Sequence, residues 1–139
     1  MLNVFFNFIT ALIFVITPLA SANATDCGNA QGGQAGMNEC YDNQFKKSDA
    51  ELNKLYKQIE RRLKADGDTM KLLVMAQKEW IAFRDAECSF QTAHSSDGSV
   101  GPMISSMCKD GLTQDRIKDL KGYLHCEEGD MSCPVPAAN

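Results

Sequence analysis

A chain of 139 residues with 14 basic and 18 acidic side chains carries a formal net charge of −4. The excess of carboxylates opposes binding to nucleic acid and to anionic membrane surfaces, and it favours encounter with a cationic partner. Six cysteines in so short a chain read as a disulfide framework, which belongs to an exported protein rather than to one kept in a reducing cytosol.

The first 24 residues contain no Asp, Glu, Lys, Arg or His, and the stretch from Val4 to Leu19 is apolar apart from Asn7, Thr10, Thr17 and Pro18. Pro18 ends that run just before Ala20-Ser21-Ala22 and Ala22-Asn23-Ala24, small-residue sites suited to a signal peptidase. Residues 1–24 are therefore expected to be a signal peptide, cut after Ala22 or Ala24. The run is shorter than the roughly 18–20 apolar residues of a permanent membrane span, so no stable membrane insertion is expected after cleavage. Asp26 stands beside Cys27 where a lipoprotein signal would carry a small residue, which argues against lipid attachment. The remaining residues, 25–139, suit a single domain that is periplasmic or secreted.

Residues 28–36 hold four glycines and are expected to form an irregular or weakly helical lead-in. From Met37 the apolar spacing becomes regular: Tyr41, Gln44, Ser48, Leu52, Leu55, Ile59 and Leu63 follow at steps of three and four, one stripe of a long helix. Asp66-Gly67-Asp68 stops it. A second helix, capped by Asp68 or Thr69, carries Met70, Leu73, Ala76, Gln77, Trp80, Phe83, Arg84 and Glu87 or Cys88 along one side. So short a turn predicts an antiparallel hairpin in which facing residue numbers sum to about 133, setting Arg84 opposite Asp49. Residues 94–102 read as a loop. A short third helix is expected from Pro102 to about Cys108, closed by Asp110-Gly111, and a fourth is expected to start from a Thr113 cap and carry Ile117, Leu120 and Leu124. An acidic tail follows with Cys126, Glu127, Glu128, Asp130 and Cys133. The fold class is all-α: a small disulfide-stabilised domain built on a long antiparallel hairpin with two shorter helices.

Six cysteines allow fifteen pairings. Hairpin register favours Cys40 with Cys88, short spacing favours Cys126 with Cys133, and Cys27 is left for Cys108. No pair has CxxC spacing and His94 lies far from His125, so neither a metal site nor any other cofactor is expected.

Arg84 sits among Trp80, Phe83 and Cys88 on the apolar side of its helix, and pairing with Asp49 would offset the cost of burying its charge. Its expected role is structural, fixing the hairpin register. His94, Asp97 and Ser99 contain the side chains of a hydrolytic triad, but crowding within six residues of one loop supplies neither a rigid histidine nor oxyanion donors. Nothing fixes Asp85 and Glu87 across a sugar-sized cleft. Tyr41, Tyr56, Trp80 and Phe83 have the helical spacing of core residues. No enzymatic constellation emerges.

Several motifs occur in order: Asp49-Ala50-Glu51-Leu52-Asn53-Lys54-Leu55-Tyr56, then Ala76-Gln77-Lys78-Glu79-Trp80-Ile81-Ala82-Phe83-Arg84-Asp85-Ala86-Glu87-Cys88, then Gly98-Ser99, Cys108, and Leu112-Thr113-Gln114-Asp115-Arg116. Together they resemble the lysozyme inhibitor LprI-like family over about 90 residues, with Asp97 standing where that family's first loop glycine would be. The resemblance implies a small exported helical domain that inhibits a cationic lysozyme or related peptidoglycan-degrading enzyme by stoichiometric contact. The alternative is a periplasmic structural or protein-binding factor, an immunity protein included, without action on lysozyme. The expected contact surface combines the 94–101 loop, with Asp97 and Ser99, with acidic residues either near Asp85 or at Glu127, Glu128 and Asp130. N-terminal sequencing of the exported protein should begin at Asn23 or Thr25, and a product that still carries residue 1 would refute the cleavage.

Overall fold

The computed structural model describes residues 27–127 and 129–137. The expected signal peptide, 1–24, and the expected contact residue Glu128 lie outside them. Among the described residues the domain is all-α and disulfide-stabilised, with three helices: α1 (Gly33–Arg62), α2 (Gly67–Gln91) and α3 (Gly101–Leu124).

Helix α1 buries Ser48, Leu52, Leu55 and Ile59, with Leu63 just beyond its end. These residues continue the three-four stripe that begins at Met37. The helix itself starts earlier, at Gly33, after a turn in which Gly32 and Gly33 take φ values of 94° and 61°. That left-handed backbone suits glycine, and it folds the 3-10 turn Cys27–Asn29 back against α1. Residues 63–66 then reverse the chain. Asp66, rather than Asp68 or Thr69, caps α2, its Oδ1 accepting from the Thr69 amide at 3.0 Å. Hydrogen bonds from the Thr69 hydroxyl and amide hold the Asp66 carboxyl below the usual carboxylate range.

The two short helices expected after the loop are one continuous helix, α3. Gly111 does not break it: a helical glycine costs only about 1 kcal/mol relative to alanine, and the packing of α3 along α1 outweighs that. Asp110 turns its carboxylate to α1, accepting from Ser48 Oγ, and Thr113 is wholly buried mid-helix rather than capping anything.

The helices run up, down and up. Cross-contacts join Asn38 to Ser99, Ser48 to Asp110 and Arg62 to Leu124. The near-constant offset between partners means that α1 and α3 point the same way, with α2 antiparallel to both. The closest helix pair is α1 with α3, not the sequential hairpin α1 with α2. Leu52, Leu55, Ile59 and Leu63 meet Ile117 and Leu120, and the tail closes over them with Cys126 and Val135. Phe83, expected in the core, is 54% exposed: α2 turns Gln77, Arg84 and Cys88 inward, and Phe83 falls off that face.

The disulfides are Cys27–Cys40, Cys88–Cys108 and Cys126–Cys133. The Cys40–Cys88 pair expected from hairpin register, and the Cys27–Cys108 pair it left over, are therefore corrected. The glycine turn returns Cys27 to Cys40, and α2 packs Cys88 against α3 where Cys108 projects. Non-reducing peptide mapping should recover these three pairs. Leu120→Ala, which empties a fully buried position between α1 and α3, should cost about 2–5 kcal/mol in chemical denaturation.

Candidate functional site

The middle of the bundle is polar and built around Arg84, whose side chain is only 8% exposed. Its Nη1 donates to Asp49 Oδ1 on α1 and its Nε donates to Asp85 Oδ1, each at 3.0 Å. Asn53, one turn beyond Asp49, holds that acid in place by donating to its carbonyl at 2.8 Å and to its Oδ2 at 3.0 Å. The guanidinium carbon lies 5.1 Å from the Phe45 ring centre and 5.3 Å from that of Trp80. Arg116 of α3 approaches the same indole at 5.9 Å and donates to Gln77 Oε1 at 3.3 Å. Two cations, two aromatic rings and two carboxylates thus tie all three helices together, with charge pairing and cation–π attraction offsetting desolvation.

Next to this cluster, Ser48 bridges α1 and α3. It donates to Asp110 and accepts from Gln114 Nε2 at 2.6 Å. Sequence reasoning missed this bridge, since a serine on an apolar stripe carries no sign of which helix will face it.

The loop between α2 and α3 is a succession of hydrogen-bonded turns. Ser95 N donates to Thr92 O at 2.9 Å, Gly98 N to Ser95 O at 3.1 Å and Gly101 N to Gly98 O at 2.9 Å. Asn38 Nδ2 pins the loop to α1 by donating to Ser99 O at 3.0 Å. A Cβ at Gly101 would lie 2.6 Å from Ser95 O and 2.7 Å from Ser96 O, so only glycine lets the loop pass this close to the start of α3. Asp97 and Ser99 are exposed on it. His94 is exposed too, and no hydrogen bond joins it to Asp97 or Ser99 among the described residues.

The expected contact residues fall at opposite ends of the domain. Asp85 lies two turns before the end of α2, on the side of the molecule that leads to Asp97 and Ser99. Glu127 and Asp130 follow the C-terminus of α3, a helix about 36 Å long by its rise per residue, and so cannot join the others in one compact patch. Asp130 is also engaged locally. Its Oδ1 accepts from the Ser132 hydroxyl at 2.6 Å and the Ser132 amide at 2.9 Å, bonds that hold its carboxyl below the usual range. At this end a cleft of about 230 Å³ lies between the helices and the tail, lined by Ile59, Leu63, Leu73, Tyr123 and Val135 among others.

Among the described residues, no group of three or more His, Cys, Asp or Glu side chains is placed to hold a metal ion. None of the helices there is long and apolar enough to cross a membrane.

The sequence pattern described as lysozyme inhibitor LprI matches residues 26–120. The chain belongs to the LprI family. It is also 32% identical over 133 residues to an uncharacterized protein of Rhizobium meliloti (strain 1021), with 85% of this chain and 95% of the relative covered. No solved structure matches. Membership of the LprI family supports an inhibitory, protein-binding role and a non-enzymatic one. The LprI match includes the Arg84 cluster and the 92–100 loop, and it ends before the Cys126–Cys133 tail. Asp49, Gln77, Trp80, Arg84 and Arg116, all within that span, are bonded or stacked together where the helices meet, with exposed Asn53 bracing Asp49 from outside.

Asp49→Ala and Arg84→Ala should each lower stability by about 1–3 kcal/mol, with Arg84→Ala the more damaging because its stacking on Phe45 and Trp80 is lost as well. The double variant should be about 1 kcal/mol less destabilised than the sum. Strict additivity in equilibrium unfolding would remove the coupling.

Proposed function

We propose that this LprI-family protein is exported to the periplasm or beyond the cell, and that it inhibits a cationic lysozyme or related peptidoglycan-degrading enzyme by stoichiometric contact without turnover. The observation that carries the reading is the family match across residues 26–120. The net charge of −4 agrees with it physically: wall-degrading lysozymes are commonly basic, and opposite charge speeds encounter and selects partners.

Of the two ends, the one bearing Asp85, Asp97 and Ser99 is the better contact region. It lies within the span that matches the family, whereas Glu127, Glu128 and Asp130 lie beyond it. The loop is presented in a defined shape, held by Asn38, by the close approach at Gly101 and by the Cys88–Cys108 bridge at its base. A preformed loop loses less conformational entropy on docking.

The test is to titrate purified, oxidised protein against several lysozymes, using calorimetry together with clearing of peptidoglycan at two salt concentrations. Saturable one-to-one binding with loss of clearing is expected, and association should slow as salt rises. If an unrelated protein of equal charge inhibits equally well, or clearing continues under saturated binding, the inhibitor reading fails.

A further inference from the structure

Helix α2 has two apolar faces, and only one of them is covered. Trp80, Arg84 and Cys88 point into the bundle, while Leu72, Met75, Phe83 and Phe90 are 64%, 61%, 54% and 79% exposed. Leu72, Phe83 and Phe90 share a stripe with Ala76, Glu79 and the half-buried Glu87, at steps of three and four over about 27 Å along one side of the helix. Two phenylalanines about two turns apart on open helix surface are costly to leave in water and are the residue type that anchors protein interfaces.

The charge around the aromatics indicates what covers them. Residues 79–99 carry the carboxylates of Glu79, Asp85, Glu87 and Asp97 against a single arginine, Arg84. That arginine is buried and already bonded to Asp49 and Asp85, so Asp85 is internally paired and the acids left to a partner are Glu79, Glu87 and Asp97. On the same helix, Lys71 is paired with Asp68 at 3.0 Å and Lys78 lies outside the stretch. The surface around Phe83 and Phe90 is therefore acidic, with apolar anchors between the acids. A second copy is a poor occupant, because a two-fold pairing centred on these phenylalanines confronts the same carboxylates on both sides.

We infer that the exposed face of α2 centred on Phe83 and Phe90, with Glu79 and Glu87 beside them, is the docking surface for a cationic protein. Phe83 and Phe90 enter apolar depressions of the partner while the carboxylates meet its lysines and arginines. This rests on the inhibitor reading and names the surface that performs it. The adjoining loop with Asp97 and Ser99 extends the contact.

The experiment compares wild type with Phe83→Ser/Phe90→Ser and Glu79→Lys/Glu87→Lys, each checked for fold by circular dichroism and thermal unfolding, with a cationic lysozyme as the probe. The phenylalanine pair should weaken binding and inhibition by roughly 100-fold with little change in melting temperature. The charge-reversed pair should bind more slowly and lose most of its salt dependence. If wild type inhibits and both folded pairs inhibit equally well, this face is not the docking surface and the inhibitor reading survives. Loss of inhibition in Glu127→Lys instead would place the contact at the opposite end and overturn the proposal. Failure of wild type itself to bind overturns the inhibitor reading and the surface with it. Sedimentation that shows a wild-type dimer converted to monomer by Phe83→Ser/Phe90→Ser would assign the face to a second copy, again overturning the proposal.

Discussion

The arrangement of this domain depends on accommodating one buried guanidinium. Arg84 lies where three helices converge, and an unpaired charge there would cost several kcal/mol even after relaxation. Asp49 and Asp85 supply the counter-charges, Asn53 fixes Asp49, and Phe45 and Trp80 supply ring faces. Each of these partners sets a distance or a rotation: Asp49 sets the register of α2 on α1, while Trp80, reached by Arg116 from the other side of the network, brings in α3. Apolar packing is non-directional and would tolerate a helix sliding by a turn. Directional bonds to a single cation would not.

Around that cluster the bundle is divided. Toward the C-terminus of α1 the interior is apolar, made of leucine, isoleucine and the valine of the tail. Toward the loop end it is polar, with Ser48, Asp110 and Gln114 joining α1 to α3, and a bridge between Cys88 and Cys108 where apolar residues are fewer. Disulfides reinforce a short chain whose core is modest by restricting the unfolded ensemble, and Cys88–Cys108 joins α2 to α3 away from the apolar cluster. The consequence for function is a loop end that presents polar atoms in fixed positions.

The LprI signature is informative about fold for a physical reason. Within the matched span Asp49, Gln77, Trp80, Arg84 and Arg116 are bonded or stacked together, so a change at Asp49 or Arg116 leaves buried Arg84 or Gln77 short of a partner. The residues free to contact another protein, Phe83, Phe90, Glu79 and Glu87, have few bonds within the domain. The docking surface we propose is the outer face of the same helix whose inner face holds the fold together.

By itself, the sequence determined the helical class, the phase of the α1 stripe from Met37 to Leu63, the end of that helix near Asp66, and the register arithmetic that sets residue 84 opposite residue 49. These follow from local periodicity and a short turn, which are properties of neighbours along the chain. Tertiary structure decided the continuity of α3 through Gly111, because packing on α1 outweighs a weak local break. It decided the pairing of Cys27 with Cys40 and Cys88 with Cys108, because that depends on a left-handed turn at Gly32 and on α3 lying against α2. It also decided that Phe83 faces solvent while Arg84 beside it is buried. A helix with apolar residues on two sides does not announce which side its neighbours will cover, and only the placement of the other two helices makes that choice.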